Sequence, residues 1–520
     1  MAIRKFKNEP LTDFAKPANR KAMELALTKV KEQLYGKEYP IVISGEEVKT
    51  EEKLRSVNPS RPGEAVGIFQ KADAAIANRA IEAAAGTFEQ WRWEDPSKRA
   101  AYLFKAAKLM RSRKHEFSAV MIYEVGKTWP EADADTAEAI DFLEFYGREM
   151  LRLGGPQPVV RIPTEKTELR YIPLGVGVVV PPWNFALAIL TGMASAAVVT
   201  GNTVVLKPSS DSPLTGWMFF NLMREVGLPK GVINFVTGPG GSVGDTLVSH
   251  PKTRFVAFTG SKEVGIHINE LAAKVSPGQK WLKRVVAEMG GKDSIVIDEK
   301  TDLDAAAQAT VVSAFGYQGQ KCSAASRAIV VGKVYDPFVN LVREKTEKLR
   351  VGEPSDQRNY MGPVINKSSR DKILSYIEKG LSEGGRLVAG GKPVEGNDGY
   401  FIRPTVIADV QPTATIAQEE IFGPVLAIIK ARDYDDALGI ANNTEFGLTG
   451  GVWTKDQKKI EKAKKVFHVG NFYVNRKITG ALVGVHPFGG FNMSGTDSKA
   501  GGRDYLLLFL QAKSISQKIK

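Results

Sequence analysis

Cys322 is the only cysteine in the 520 residues, and it lies in the run Phe315-Gly-Tyr-Gln-Gly-Gln-Lys-Cys-Ser323. A lone cysteine serves either as a small core hydrophobe or as a nucleophile, and small polar neighbours favour the nucleophile. Apolar residues at helical spacing from Asp302 to Tyr317 place Cys322 in a glycine-containing loop just after a helix. The sequence therefore predicts a reactive thiol.

A second candidate group is Glu288, in the segment Val285-Val-Ala-Glu-Met-Gly-Gly291. This carboxylate ends an apolar strand, and two glycines follow it. A thiol and a carboxylate, each beside flexible backbone, are typical of covalent catalysis with a separate general base.

An uncharged stretch from Tyr171 to Leu206 is long enough to cross a membrane, but prolines interrupt it at positions 181 and 182. It reads instead as a βαβ unit that is buried on both faces. The same alternation of strands and helices continues downstream. The predicted elements are strand Val176–Val180, helix Ala186–Val199, strand Thr203–Leu206, helix Leu214–Val226, strand Val232–Val236, helix Gly244–Ser249 and strand Arg254–Phe258.

Polar motifs follow three of these strands, namely Asn184, Lys207 and Thr259-Gly260-Ser261. Because ligands bind at the carboxyl ends of parallel strands, the motifs predict an α/β fold with a binding edge. The run Gly260-Ser-Lys-Glu-Val-Gly265 stands where a Gly-x-Gly-x-x-Gly fingerprint is usual. It fits either an ordinary turn or a helix N-terminus that binds a pyrophosphate.

The flanking segments predict the remaining elements. Residues Ala74–Ala119 and Glu131–Leu151 read as amphipathic helices, and Arg152–Ile172 and Leu506–Ile519 as strands. A second α/β unit runs from about Glu288 onward, so the active site should lie between the two units.

Composition excludes several classes of protein. The net charge is +13, but 58 acidic residues are interleaved with 71 basic ones, and no basic arm or RNA motif is present. The dispersed histidines and the single cysteine predict no metal site. The N-terminus lacks the features of a secretory signal, so we expect a cytoplasmic protein that binds neither membrane nor nucleic acid.

Seven motifs, in order and with fitting spacing, resemble the aldehyde dehydrogenase family from about residue 40 onward. They are Pro182-Trp-Asn-Phe185, Leu206-Lys-Pro208, Phe258-Thr-Gly-Ser261, Glu288-Met-Gly-Gly291, the Cys322 segment, Glu419-Glu-Ile-Phe-Gly-Pro424 and Pro487-Phe-Gly-Gly490. The resemblance implies the α/β aldehyde dehydrogenase fold. It divides the chain into an N-terminal arm (1–38), an NAD-binding domain (39–152 and 173–287), a catalytic domain (288–500) and a β flap for oligomerisation (153–172 and 501–520).

For the chemistry, the resemblance assigns Cys322 as the nucleophile, Asn184 and the Cys322 N–H as oxyanion donors, and Glu288 as the base that activates water. Asn184 as a simple turn residue is an equally good interpretation of the sequence alone. Relatives that transfer the acyl group to coenzyme A lack this acid, so the presence of Glu288 implies hydrolysis to a free carboxylic acid.

The resemblance also implies NAD as cofactor. The cofactor-binding residues would be Trp183, Lys207, Ser210, Thr259, Gly260, Ser261, Gly265, Glu420 and Phe422. Only the family match separates Glu420 from its neighbour Glu419. Many NAD-specific members have a glutamate where this chain has Ser210, and serine would not repel a 2′-phosphate, so NADP is an alternative cofactor.

Further segments resemble the branch of the family that oxidises L-glutamate γ-semialdehyde, the open form of 1-pyrroline-5-carboxylate. They are Glu124-Val-Gly-Lys127, Glu131–Phe142, Gln318–Ser323, Thr479–Gly484 and Phe488–Lys499. In that case the N–H groups at Gly480-Ala481 and the Ser323 hydroxyl would bind the substrate carboxylate, with Phe185 and Phe488 as apolar walls. The branch often has a second cysteine where this chain has Ala325.

The resemblance further implies a homo-oligomer, a dimer with a hexamer as the larger assembly, and a transient contact with a proline dehydrogenase. Two other functions stay open. One is the oxidation of another semialdehyde or of general aldehydes, and the other is a binding or structural protein of the same fold.

Overall fold

A computed structural model describes residues 5–519 of the chain. Its first large sheet has seven strands in the order β11-β10-β7-β8-β9-β2-β3. The strands are β2 (Ile41–Ile43), β3 (Glu46–Val48), β7 (Val176–Val180), β8 (Thr203–Leu206), β9 (Ile233–Phe235), β10 (Thr253–Thr259) and β11 (Arg284–Glu288). The five from β7 to β11 pair in parallel, as predicted, and an antiparallel hairpin of β2 and β3 extends one edge.

The second large sheet also has seven strands, in the order β14-β15-β16-β13-β12-β18-β19. They are β12 (Ser294–Ile297), β13 (Arg327–Val331), β14 (Arg386–Ala389), β15 (Thr405–Ala408), β16 (Val425–Ala431), β18 (Thr449–Trp453) and β19 (Asn471–Val474). All but β14 pair in parallel. Since Glu288 ends β11, it belongs to the first sheet, at the predicted boundary between the two α/β units.

Three small sheets complete the β structure. Their strands are β1 (Glu38–Tyr39) with β4 (Lys53–Asn58) and β5 (Arg61–Gln70), then β17 (Phe446–Gly447) with β20 (Phe491–Asn492), and β6 (Glu165–Pro173) with β21 (Leu510–Lys518).

Helices pack on both large sheets and between them. They are α1 (Pro17–Gln33), α2 (Ala74–Trp91), α3 (Pro96–Ser112), α4 (Lys114–Val125), α5 (Trp129–Leu153), α6 (Ala188–Val199), α7 (Pro213–Glu225), α8 (Asp245–Ser249), α9 (Lys262–Ala273), α10 (Leu303–Phe315), α11 (Tyr335–Glu347), α12 (Lys367–Ser382), α13 (Thr415–Gln418), α14 (Tyr434–Asn442) and α15 (Gln457–Val466). The predicted helical region from Ala74 is three helices, since Asp95 caps α3 and Pro96 begins it.

The uncharged stretch forms β7, α6 and β8, with eleven of the twelve residues of α6 buried. The prediction of a buried βαβ unit is confirmed. Within residues 5–519, no helix combines the length and apolar character that a bilayer span requires.

The paired flap strands β6 and β21 are shorter than predicted. Arg152 and Leu153 still belong to α5, and residues 154–164 form no strand. Prolines at positions 156, 158 and 163 explain the difference, because each lacks an N–H and restricts the backbone. At the other terminus, Tyr505–Phe509 form a 3-10 turn with buried side chains that pack into the first core.

Residues 8–33, within the predicted N-terminal arm, pack against helices α4 and α5. Helix α1 contacts α4, and residues before α1 bind side chains of α5. Thr12 donates to Asp133, and Asn8 and the Glu9 N–H donate to Asp141.

Glu124 links α4 to the start of α7. It is fully buried, and its carboxylate accepts hydrogen bonds from Ser56 Oγ, the N–H groups of Leu214 and Thr215, and Thr215 Oγ1, at 2.7–2.9 Å. Two of the N–H groups that α7 leaves without helical partners are thereby satisfied.

We expect Glu124→Ala to lower the free energy of unfolding by at least about 3 kcal/mol, because several buried donors lose their acceptor together. Denaturant titration measures the loss. Glu116→Ala is the matched control, since Glu116 lies on the same helix but pairs with partly exposed Lys29 and Arg113. We expect that control to cost less than about 1 kcal/mol. Equal losses of unfolding free energy in the two variants would show that Glu124 does not stabilise the start of α7.

Candidate active site

Cys322 lies in a loop after α10, as predicted. A 3-10 turn over Gly316–Gly319 comes first, in which Tyr317 and Gln318 have left-handed backbone with φ of 51° and 58°. Such backbone costs of order 1–3 kcal/mol for residues other than glycine. Side-chain anchors hold it, since the Tyr317 hydroxyl donates to Val125 O and Gln318 Nε2 donates to Gly126 O and Pro363 O. Cys322, the predicted nucleophile, therefore lies on a pre-organised loop.

Asn184 lies beside this loop. Its Nδ2 donates to the backbone carbonyl of Gln320, two residues before Cys322, at 3.0 Å, and its side chain is buried. Asn184 and Cys322 line the same cavity. The loop after β7 thus places the Asn184 amide near Cys322, as the predicted role of an oxyanion donor requires.

The surroundings of Cys322 favour the protonated form of its thiol. Burial raises its pKa well above the usual value, and the carboxylates of Asp293, Glu420 and Glu288 raise it further. The Ser323 N–H opposes this effect. Because the thiolate is the nucleophile, the thiol must lose its proton before it attacks.

Residues 489–498 surround the Glu288 carboxylate. The Gly490 N–H donates to Oε2 at 3.2 Å, and the Ser498 hydroxyl donates to Oε1. A Cβ at Gly489 would lie 1.7 Å from Ser498 O and 2.8 Å from Glu288 Oε1. One at Gly495 would lie 2.9 Å from Ala287 O and 3.1 Å from Glu288 Oε2, so close backbone and the carboxylate together leave room only for glycine. Burial raises the pKa of Glu288 to about 8, against the opposing effect of the two hydrogen bonds. A carboxyl group with this pKa is suited to act as a base near neutral pH.

The two glycines after Glu288 make room for neighbouring groups. A Cβ at Gly290 would lie 2.1 Å from Glu420 Oε2, and one at Gly291 would lie 2.7 Å from the Cys322 carbonyl oxygen. The Gly291 N–H donates to Glu420 Oε1 at 3.0 Å. Close approach of Glu420 and Cys322 therefore explains both glycines.

A groove at the carboxyl edge of the first sheet collects nearly all residues that the sequence assigned to the cofactor. These are Trp183, Lys207, Ser210, Thr259, Gly260, Ser261, Glu420 and Phe422. Gly265 does not line the groove. It lies on α9, where a Cβ would meet Met289 Sδ at 2.4 Å, so its role is close packing of α9 against Met289.

The chemistry of this groove fits a dinucleotide. Lys207 is buried, which lowers its pKa to about 8, and an anionic ligand would restore its charge. Ser261 caps α9 through a bond from the Val264 N–H, so the groove also contains a helix N-terminus. Trp183 and Phe422 pack edge to face at 5.5 Å and supply an aromatic wall.

A second cavity lies on the other side of Cys322, and the two cavities share Thr259, Met289 and Cys322. All five residues that the sequence assigned to the substrate line it, namely Phe185, Ser323, Gly480, Ala481 and Phe488. Glu288 lines this cavity too. The thiol thus lies where a dinucleotide groove meets a chamber for a small molecule.

A buried ion pair supports one wall of this chamber. Lys127 and Asp135 pair with both side chains fully buried, and the Lys127 ammonium lies 4.3 Å from the centre of the Phe185 ring and 4.7 Å from that of Tyr317. Asp135 also accepts from the Ala188 N–H at the start of α6. The pair therefore joins the substrate wall to the loop that carries the nucleophile.

Glu138 is a chamber residue to which sequence reasoning assigned no role. Burial raises its pKa to about 8, and nearby Asp135 contributes to the rise. A signal was present in the sequence: Glu131, Asp135 and Glu138 recur at spacings of four and three, which places them on one face of a helix. Such acids on an inward face are unusual without a partner.

Among residues 5–519, no cluster of three or more His, Cys, Asp or Glu side chains could hold a metal ion.

Comparison with known proteins identifies the family. The model of the aldehyde dehydrogenase family matches residues 47–515. The chain is 57% identical over 517 residues, 99% of each protein, to a 1-pyrroline-5-carboxylate dehydrogenase of Geobacillus sp. (strain WCH70). It is similar to the structure of 1-pyrroline-5-carboxylate dehydrogenase from Thermus with bound NAD, at 50% identity, full coverage of both chains and a TM-score of 0.98.

A longer relative contains the same fold as part of its chain. Proline utilization A from Bdellovibrio bacteriovorus matches 99% of this chain and 53% of its own, at 44% identity and a TM-score of 0.97. The motifs, the two-sheet fold and these matches agree, and the chain belongs to the aldehyde dehydrogenase family.

Proposed function

We propose that the protein oxidises L-glutamate γ-semialdehyde to L-glutamate with NAD, the activity named in its full-length relatives. The observation that carries the proposal is the chamber beside Cys322. Its lining includes Phe142, Phe185 and Phe488 together with Ser323 and residues 480–483. The chamber therefore combines apolar side chains with residues that can donate hydrogen bonds to a carboxylate.

The chamber lining offers a partner for each charged group of the substrate. The N–H groups of Gly480 and Ala481 and the Ser323 hydroxyl would bind the α-carboxylate, and Gly480, with φ of 78°, brings the backbone close. Glu138 would accept hydrogen bonds from the α-ammonium, and that cation would favour its charged form. The aldehyde carbon would then reach Cys322 Sγ.

The protein's own groups perform the covalent steps. Cys322 Sγ bonds to the aldehyde carbon, and Asn184 Nδ2 with the Cys322 N–H stabilises the resulting oxyanion. NAD held in the groove would supply the hydride acceptor, and the oxidised acyl group would remain on Cys322 as a thioester. Glu288 takes a proton from water, and the hydroxide formed cleaves the thioester to release glutamate and the thiol.

For the cofactor, we propose that Lys207 and Glu420 bind the two riboses and that the start of α9 binds the pyrophosphate. Trp183 and Phe422 would enclose the remainder of the dinucleotide. Ser210 lies in the same groove where an acid would repel a 2′-phosphate, so NADP is to be assayed beside NAD. Gly265 is left out of this proposal.

We also propose a cytoplasmic homo-oligomer built through the β6–β21 flap. The flap region exposes Val160, Ile162 and Ile519 by 90%, 47% and 54%, which suits a surface covered by a second copy. Proline utilization A carries this fold as about half of a longer chain, which supports a proline-oxidising enzyme as supplier of the substrate.

Steady-state reduction of NAD with glutamate semialdehyde, succinate semialdehyde and propanal tests the proposed activity. We expect the highest kcat/KM for glutamate semialdehyde, since the other two aldehydes lack one or both of the α-substituents. A higher kcat/KM for succinate semialdehyde or propanal would overturn the substrate and leave family membership untouched.

Ser323→Ala should reduce kcat/KM for glutamate semialdehyde about 10- to 150-fold, because the carboxylate loses a charge-assisted hydrogen bond of about 1.5–3 kcal/mol. Leucine at Ala481 should act in the same direction by filling the carboxylate site. Propanal has no carboxylate and serves as the internal control. Equal losses on both aldehydes would show that these residues do not read the α-carboxylate.

A further inference from the structure

Residues 6–12, near the N-terminus, contact a loop that lines the chamber. We call residues 6–12 the strap and residues 480–484 the substrate loop. Asn8 Nδ2 donates to Val483 O at 3.0 Å and to Asp141 Oδ2 at 2.8 Å. One amide therefore bridges helix α5 and the substrate loop, across 475 residues of sequence.

The strap is firmly anchored on α5. Asp141 Oδ1 accepts from the Glu9 N–H at 2.7 Å, and Asp133 accepts from the Thr12 N–H and hydroxyl at 2.7 and 2.6 Å. Lys114 donates to Pro10 O and pairs with Asp133. Because Asp133 and Asp141 are buried, these bonds are shielded from water.

A second contact comes from Phe6. Its ring packs edge to face on Phe145 of α5, with centroids 5.2 Å apart. A Cβ at Gly484 would lie 3.0 Å from Phe145 and 3.2 Å from Phe6. In the substrate loop, Gly484 thus lies close to the rings of Phe6 and Phe145, and Val483 accepts a hydrogen bond from Asn8.

The substrate loop has conformational freedom that such support would restrict. Gly480 and Gly484 both have left-handed backbone, and Leu482 is 46% exposed. Residues 480–483 line the chamber. The strap therefore contacts, at Val483 and Gly484, the same loop that contributes to the chamber lining.

We propose that the strap is a positioning element for the substrate loop, and that Asn8 and Phe6 set the placement of the N–H groups that receive the substrate's α-carboxylate. This inference rests on the proposed function, since it assumes an amino-acid aldehyde as substrate. Its consequence is specificity: loss of the Asn8 or Phe6 contact should lower kcat/KM for the amino-acid substrate and spare an aldehyde that does not reach the loop.

Asn8→Ala tests the inference, with Thr12→Val as the matched control from the same strap. Thr12 binds Asp133 and Lys114 at the other end of the strap. We expect Asn8→Ala to lower kcat/KM for glutamate semialdehyde about three- to tenfold, the effect of one lost hydrogen bond, while kcat/KM for propanal changes less than about twofold. Thr12→Val should leave the ratio of the two kcat/KM values unchanged, although both variants lose some thermal stability.

Phe6→Ala supplies a second variant that breaks the other contact, and it should shift the same ratio in the same direction. A ratio equal to that of the wild type in both Asn8→Ala and Phe6→Ala would overturn the inference. If the wild type itself does not favour glutamate semialdehyde, the proposed function fails instead, so the two failures are distinguishable.

Discussion

Cys322→Ala should abolish aldehyde oxidation, with a fall in kcat of at least about 10⁴-fold, while the protein folds and binds NAD as the wild type does. The nucleophile lies on a loop whose left-handed residues are anchored through Tyr317 and Gln318, so the loop does not depend on the thiol. Initial rates, thermal unfolding and titration with NAD measure the three properties.

Alkylation gives an independent test, because Cys322 is the only cysteine of the chain. Iodoacetamide should modify one site per chain and inactivate the protein in step with modification. The rate should rise with pH without levelling off near the ordinary thiol value of about 8.5, since burial and the nearby carboxylates raise the pKa of Cys322. Full activity in fully alkylated protein would end the assignment of Cys322 as nucleophile.

Glu288→Gln should separate the two halves of the reaction. Formation of the thioester needs Cys322 and the oxyanion donors, whereas its hydrolysis needs a base. If Glu288 serves only hydrolysis, the variant should release about one NADH per active site in a burst and then turn over very slowly. The thioester should be detectable by mass on the peptide that carries Cys322. If Glu288 also deprotonates the thiol, the burst itself slows.

The pH dependence of hydrolysis follows from the same carboxyl group. A base acts in its deprotonated form, and burial raises the pKa of Glu288 to about 8, so turnover limited by hydrolysis should rise as pH increases through that value. The Gln variant should lose this inflection. Ser498→Ala keeps the carboxylate but removes a donor that favours its charged form, so the inflection should move to higher pH. Turnover like that of the wild type in a stably folded Gln variant would remove Glu288 from the mechanism.

The sequence alone predicts which chemical groups belong to the site. Local patterns indicate Cys322 among polar residues and Glu288 at a strand end, and they place Asn184, Lys207 and Ser261 after apolar strands. Parallel strands bring their carboxyl ends to one edge of the sheet, so these groups are expected to lie along that edge. The fold class and the groove therefore follow from sequence pattern, together with the family motifs.

Other features depended on packing between segments far apart in sequence. Glu138 faces the chamber only because α5 lies against it, and the glycines after Glu288 are explained by the approach of Glu420 from 130 residues away. Strand β6 begins later than predicted because prolines remove N–H groups from the region after α5. The strap meets the substrate loop through single hydrogen-bond donors and one ring. Contacts of this kind leave no periodic pattern in a sequence, so only the tertiary structure could decide them.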